Sequence, residues 1–87
     1  MTAYEYEGFT ISEHMMDALQ RYIRDRIPPG GFLMAVLENN LASAVGRADL
    51  INRRNLPAFA AYLYNNAPYD CWGSPEKVAK WLAAREV

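Results

Sequence analysis

Apolar residues recur every three to four positions along most of the chain, which is the spacing of one face of an α-helix. The first stripe passes through Ile11, Met15, Leu19, Ile23 and Ile27. Thr10 and Glu13 have the spacing of a capping box, in which the threonine hydroxyl accepts the backbone N–H of the glutamate. Pro28 and Pro29 end the stripe, because proline disfavours helical geometry in the residue before it. The pattern therefore predicts a first helix over residues 11–27.

A second stripe of the same period begins after Gly30-Gly31 and continues to Ala48. It is apolar over more than half of the helix circumference, which is typical of a helix that lies centrally in a domain. Within it, Gly46 is interpreted as either the end of the helix or a site of close packing. The sequence thus predicts one continuous helix between Gly31 and Ala48.

Three further start signals follow along the chain. Asp49 is a favourable N-cap for a short helix. Ser74-Pro75-Glu76 combines an N-cap, a proline at the first helical position and an acid in the first turn, so we expect the last helix to begin there. Pro57 leaves two interpretations open: it begins a helix after Asn55, or it kinks a longer helix that starts at Asp49. Residues 67–73 are predicted to form a loop.

The first nine residues alternate differently, with Tyr4, Tyr6 and Phe9 set between acidic residues and glycine. This period of two fits a strand, but a lone strand without a partner is unstable. We therefore predict an extended arm that packs on the helices, with pairing across a dimer as the alternative. The predicted fold is all-α: a single domain over residues 1–87, built as a compact bundle of four or five short helices with an N-terminal arm at residues 1–9.

The composition raises the question of where all the aromatic residues of this chain can lie. The chain has 87 residues, of which 52% are hydrophobic and 13% aromatic. A domain of this size has a thin core, and the helical stripes leave five aromatic residues without an obvious place in it: Tyr4, Tyr6, Tyr64, Tyr69 and Trp72. We expect part of this aromatic surplus to be exposed or to be covered in a homo-oligomer.

Charge, hydrophobic pattern and cysteine content limit which partners and bound groups we expect for this protein. The net charge is −1, with an acidic stretch over the first seventeen residues and basic clusters at 21–26 and 47–54. No apolar run reaches the roughly 20 residues of a membrane span, and the N-terminus lacks the pattern of a signal peptide. We expect a cytoplasmic protein without a membrane partner. With one cysteine and one histidine, the sequence predicts no disulfide, no metal site and no cofactor.

Catalytic chemistry has few candidates in the sequence. Cys71 precedes a predicted helix start and His14 is the one imidazole that could activate it. Glu13 and Asp17 lie four residues apart, but they lack the Glu-x-x-His spacing of helical metal sites. So small a chain leaves little room for a substrate cleft, and these residues are interpreted as structural. The sequence predicts that the protein is not an enzyme.

Two groups of basic residues suggest anion or nucleic-acid binding. Gly30 and Gly31 open a helix whose first N–H groups have no intrahelical partners, and Arg24 and Arg26 lie just upstream. The second group is Arg47, Arg53 and Arg54. Here Ala42-x-x-x-Gly46, with Leu41 and Val45, resembles the first helix and turn of a helix-turn-helix, whose second helix would carry the Asn52–Asn55 segment. That second pattern departs from the motif, since the two asparagines fall at positions where buried aliphatic residues belong. Nucleic acid is therefore the less favoured partner.

Three segments of the chain carry a resemblance to a known family. They read I-P-P-G-x-F-L-x-A-V-L-x-N over residues 27–39, G-R-A-D over residues 46–49 and C-W-G-S-P-E-K-V over residues 71–78. The chain resembles a family of small proteins of tailed phages and prophages, and the resemblance covers residues 9–83. It carries over no catalytic or binding residues. It implies a context, since small phage accessory proteins often act on the host, including its defence systems.

We therefore expect a non-enzymatic phage accessory protein that acts on the host by binding. One version is a homo-oligomer that sequesters a small nucleotide signal as a form of counter-defence. The candidate ligand-binding residues are Arg24, Arg26, Gly30, Gly31, Arg47, Tyr64, Tyr69 and Trp72. The alternatives are inhibition of a host protein through an aromatic surface, and a DNA-binding regulator of the helix-turn-helix type.

Overall fold

The computed structural model describes residues 2–84 and contains two strands and six α-helices in that range. In chain order they are β1 (Thr2–Tyr6), β2 (Phe9–Ser12), α1 (Glu13–Asp25), α2 (Gly31–Leu37), α3 (Leu41–Arg47), α4 (Leu50–Arg54), α5 (Leu56–Asn66) and α6 (Pro75–Ala83). A short 3-10 turn at Tyr69–Cys71 lies between the last two helices. None of the helices described is both long and apolar enough to cross a bilayer.

The prediction of an all-α fold is wrong, because the N-terminal residues form an antiparallel β-hairpin. Tyr4 pairs with Ile11, and Tyr6 pairs with Phe9. The two residues between the strands, Glu7 and Gly8, have φ angles of 50° and 88°, which is typical of the two-residue turns that suit the twist of a hairpin. The partner strand follows β1 directly, and it includes Ile11, which the helical stripe had assigned to the first helix.

The hairpin is held by contacts with α5 and with the residue before it. The ring of Tyr4 meets the ring of Tyr62 edge to face, with 5.2 Å between the centroids. The backbone N–H of Thr10 donates to the side-chain carbonyl of Asn55 at 2.8 Å. A two-stranded sheet is marginal by itself, and a free strand edge invites further pairing. These contacts supply the support that the isolated hairpin lacks.

Helix α1 begins later than the sequence predicts. The predicted capping box does not form, because Thr10 lies in β2; the N-cap is Ser12, whose hydroxyl accepts the N–H of Met15 at 3.4 Å. Ile11 is fully buried, and it belongs to the strand β2, not to the helix. The apolar stripe was continuous because the last inward position of the strand and the first inward positions of the helix face the same core.

The predicted continuous second helix is in fact two helices. Helix α2 ends at Leu37, Asn39 takes a left-handed conformation with φ of 62°, and Asn40 accepts the N–H of Ser43 to begin α3. Asparagine tolerates left-handed geometry and is a favourable N-cap, so the pair can break a helix without glycine or proline. Gly46 has open space around it, so it is not a site of close packing, and α3 ends one residue later, at Arg47.

The remaining start signals agree with the structure. Asp49 accepts the N–H of Asn52 at 2.8 Å, and Ser74 accepts the N–H of Lys77 at 3.2 Å. Pro57 lies in the first turn of α5, so it begins a helix. Asn55 does not cap that helix with its side chain.

The core lies between α1, α2, α5 and the residues that follow α5. Its largest fully buried side chains are Tyr22, Phe59, Ile11, Leu19, Leu37, Leu63, Val78 and Cys71. Phe32 of α2 meets Phe59 of α5 edge to face at 5.2 Å, an arrangement that adds to the stabilisation from buried area.

Tyr22 connects three parts of this core. Its hydroxyl donates to the backbone carbonyl of Cys71 at 2.7 Å, and its own carbonyl accepts the indole N–H of Trp81 at 3.0 Å. The guanidinium of Arg26 lies 4.0 Å from the centre of the Trp81 ring. Burial, with the neighbouring Cys71, raises the pKa of Tyr22 well above its usual range. The end of α1 thereby holds the 3-10 turn and α6.

Replacing Tyr22 by phenylalanine tests this connection. The variant keeps the ring but leaves the buried Cys71 carbonyl without its donor, so we expect a loss of about 1–3 kcal/mol in the free energy of unfolding. Tyr64→Phe is the matched control, because the Tyr64 side chain is 80% exposed. Urea denaturation followed by circular dichroism measures both. Equal stability of the two variants would contradict the role given to the Tyr22 hydroxyl.

Candidate functional site

Three of the predicted aromatic residues border one cleft, which we name the aromatic cleft. Its volume is about 340 Å³, and it is lined by Asn39, Tyr64, Ala67, Tyr69, Trp72, Gly73 and Lys77. Tyr64 projects from the last turn of α5 and Tyr69 from the 3-10 turn, and their side chains are 80% and 78% exposed. Trp72 is half-buried. The cleft thus presents several aromatic side chains in a largely apolar depression.

The loop between α5 and α6 positions these aromatic residues. Pro68 follows the end of α5, and proline cannot continue a helix. The next residues turn back so that Cys71 is fully buried. The N–H of Gly73 donates to the carbonyl of Leu37 at 2.8 Å, and its φ of 116° is one that glycine adopts without strain. Trp72 is held between these two anchored residues.

Lys77 is a site residue that the sequence analysis missed. Its ammonium lies 3.5 Å from the centre of the Tyr69 ring and 3.4 Å from the Tyr69 carbonyl, to which it donates. It is the one charged residue among those that line the cleft. A signal was available, since Lys77 lies in the first turn of the helix that directly follows the aromatic loop. The cleft therefore combines aromatic faces with one cation.

The aromatic cleft continues into a shallow trough along α5. Tyr6, Pro57, Ala60, Tyr64 and Trp72 are among the residues that line this trough. At its far end lies an apolar cavity of about 210 Å³, lined by Val36, Asn39, Asn40, Leu41, Ala44, Leu56, Pro57 and Ala60. Asn39 borders the cleft, the trough and the cavity. The left-handed turn at Asn39 is therefore shared by all three depressions, which together we name the groove.

The predicted anion site at Gly30-Gly31 takes a different form. Gly31 and Arg47 line a separate cleft of about 290 Å³, together with Glu38. A Cβ at position 31 would lie 2.9 Å from the Nη1 atom of Arg47, so glycine allows the guanidinium to approach the backbone. The Glu38 carboxylate at the same cleft disfavours an anion, and α2 has only seven residues.

Arg24 and Arg26 are not among the residues that line either cleft. Arg24 is exposed in the last turn of α1, and Arg26 stacks on Trp81. Gly30 is the N-cap of α2. Within one chain, the predicted ligand-binding residues are thus divided: Tyr64, Tyr69 and Trp72 share the aromatic cleft, Gly31 and Arg47 share another, and the remaining residues lie outside both.

The geometry around Cys71 does not favour nucleophilic chemistry. The side chain is fully buried, and burial raises the pKa of the thiol to about 11. His14 is exposed on α1. A nucleophilic cysteine needs an accessible thiolate and a nearby base. Cys71 instead fills the core below the aromatic cleft.

The helix-turn-helix alternative also finds little support in the contacts. Helix α4 has five residues, too few for a recognition helix that reaches several base pairs. Arg53 donates to the carbonyl of Ala48 at 3.1 Å. Asn55 donates to the carbonyl of Ile51 and accepts from Thr10. Two of the side chains proposed to read bases are therefore committed to contacts within the chain.

In residues 2–84, no three histidine, cysteine or acidic side chains lie close enough to hold a metal ion. Comparison of the chain with protein-family models, with curated proteins and with solved structures gave no match. Function is accordingly inferred from the geometry of the groove.

Stability at alkaline pH tests the buried state of Cys71. Burial raises the pKa of the Cys71 thiol from its ordinary value of 9.0 to about 11. Between these values the unfolded chain has lost a proton that the folded chain still binds, so the free energy of unfolding falls as pH rises, by at most about 1.4 kcal/mol per pH unit. The raised pKa of Tyr22 acts in the same direction at higher pH. We expect Cys71→Ala to show a shallower decline from pH 9 to 11 in urea titrations; an identical slope would contradict the raised pKa.

Proposed function

We propose that this protein is a non-enzymatic phage accessory protein that acts in the host cytoplasm by binding, and that the aromatic cleft sequesters a small nucleotide-type ligand. The observation that supports this is the grouping of Tyr64, Tyr69 and Trp72 around one depression of about 340 Å³. Aromatic faces stack on planar bases of any sequence, each stack being worth about 1–3 kcal/mol. The phage context comes from the sequence resemblance.

The charge in the cleft supports an anionic ligand. Lys77 is the charged residue of the lining, and its ammonium already lies against Tyr69. Because the ammonium covers one face of the Tyr69 ring, we expect a base to stack on the other face and an attached phosphate to reach the ammonium past the ring edge. Asn39 also lines the cleft and is exposed, so its amide is available to bond to base edges. Stacking, charge and amide groups together match a nucleotide better than a plain hydrocarbon.

Calorimetric titration with cyclic nucleotides and ADP-ribose-type nucleotides tests this proposal. We expect Tyr69→Leu to weaken binding by roughly 5- to 150-fold, which is the loss of one stacked base, while Tyr69→Phe retains most of the affinity. Lys77→Gln is expected to lower both the affinity and its salt dependence, because it removes the one cation. Lys80→Gln, on the exposed side of the same helix, is the matched control. Absence of heat at tens of micromolar protein with every nucleotide would refute the nucleotide proposal.

A second candidate, inhibition of a host protein through the aromatic surface, is favoured by the length of the groove. The trough runs along α5 from Tyr64 to Pro57 and ends at an apolar cavity, an extent that suits an apolar segment of a protein. Tyrosine and tryptophan are frequent anchors of such interfaces.

A substitution at Ala60 distinguishes the two candidate functions, because Ala60 lines the trough and the cavity but not the aromatic cleft. Ala60→Glu should abolish stoichiometric co-purification of a host protein and leave nucleotide titrations unchanged. Ala79→Glu, an exposed position on α6, is the control. A captured protein that tolerates Ala60→Glu would contradict docking in the trough.

A further inference from the structure

Exposed apolar side chains are concentrated on two elements outside the aromatic cleft. Of the nine large apolar residues exposed in the described part of the chain, six belong to these elements: Tyr6, Phe9, Leu41, Val45, Leu50 and Ile51. We name Glu5–Phe9 the hairpin tip, and Leu41–Ile51 the α3–α4 face. Leu41 and Ile51 are each 70% exposed. Exposed apolar side chains that lie together on a surface mark sites of protein–protein interaction.

The two elements carry opposite charges. The hairpin tip has Glu5 and Glu7, both exposed. Beside the α3–α4 face lie Arg47 and Arg54, also exposed. The ion pair found within residues 2–84 joins Asp17 and Arg21, so none of these four charged side chains has an ionic partner in that range.

One of these four side chains and two neighbouring ones are engaged in hydrogen bonds within the chain. Glu5 accepts the N–H of Gly8 at 2.9 Å. Arg53 is committed to the Ala48 carbonyl. Asp49 caps α4 through its carboxylate. The net result is an acidic, aromatic tip and a basic, aliphatic face, which are complementary in charge and both apolar.

The Asn55 side chain joins β2, the strand that leads out of the hairpin tip, to α4. Asn55 accepts the N–H of Thr10 at 2.8 Å and donates to the carbonyl of Ile51 at 2.8 Å. The hairpin and α4 therefore lie on the same side of the molecule. In a two-fold dimer, a residue of one copy that contacts a second residue of its partner has that contact repeated in reverse. A two-fold pairing can thus place each tip on the face of the other copy.

We propose that the occupant of this surface is a second copy of the chain, in a two-fold dimer in which each hairpin tip packs on the α3–α4 face of the partner. Phe9 and Tyr6 supply aromatic anchors, Leu50 and Ile51 receive them, and Glu7 faces Arg54. An anionic membrane fits less well, since the arginines beside this face are fewer than the clusters of about four to eight basic residues that bind acidic lipids.

Charge-reversal variants test this dimer in solution by sedimentation velocity. Wild type is expected to be dimeric at tens of micromolar, and to dissociate more readily as sodium chloride rises. Glu7→Arg and Arg54→Glu are each expected to weaken self-association by roughly tenfold or more, because each sets like charges against one another twice per dimer. An equimolar mixture of the two variants restores both attractive contacts, and it should regain the wild-type sedimentation coefficient.

Lys80→Glu is the control for a charge reversal outside the interface, and circular dichroism establishes that each variant is folded. A wild type that stays monomeric at several hundred micromolar would overturn the proposal. So would a dimer that neither reversal weakens, or folded variants whose mixture fails to associate. Nucleotide titration of the monomeric variants separates this result from the proposed function, because the aromatic cleft includes no residue of the tip or the face.

Discussion

The buried hydrogen bond from the Tyr22 hydroxyl to the Cys71 carbonyl is the constraint on which most of this structure depends. It joins α1, the longest helix described, to a loop that has little regular structure of its own. A buried carbonyl without a donor costs more than the bond contributes when formed, so the loop has one favourable position. That position buries Cys71 and presents the residues on either side of it at the surface.

The aromatic cleft is a consequence of this anchoring. Tyr69 and Trp72 flank Cys71 in sequence, and when the middle of the loop turns inward its ends are left at the rim. Trp81 reinforces the arrangement by donating to the carbonyl of Tyr22, which fixes α6 and with it Lys77. The buried hydrogen bonds of Tyr22 thus hold the loop and α6 in place, and the groove beside α5 remains open.

The aromatic residues that the helical stripes did not accommodate fall into two groups: some support the hairpin, and others are exposed at the surface. Tyr4 is half-buried against Tyr62, whose hydroxyl accepts from Gln20 at 3.0 Å. Tyr64 and Tyr69 remain among the most exposed large side chains described. Much of the candidate site could therefore be predicted, since its aromatic residues were singled out by failing to fit a helical stripe. Lys77 was missed because the first turn of α6 is also an ordinary place for a solvated lysine, and only the fold brings its ammonium against the Tyr69 ring.

The sequence by itself determined the local elements whose signals are complete within a few residues. The caps at Asp49 and Ser74 are of this kind, because donor and acceptor lie three positions apart and need no other part of the chain. Tertiary structure decided what a periodic pattern cannot distinguish. A strand and a helix that face the same core continue one apolar stripe, so the pattern assigned Ile11 to the wrong element. In the same way, the apolar stripe continued past Asn39-Asn40, although the helix ends there. The pairing of β1 with β2 and the meeting of Tyr64, Tyr69 and Lys77 depend on contacts between elements, and only packing around Tyr22 and Asn55 selects them.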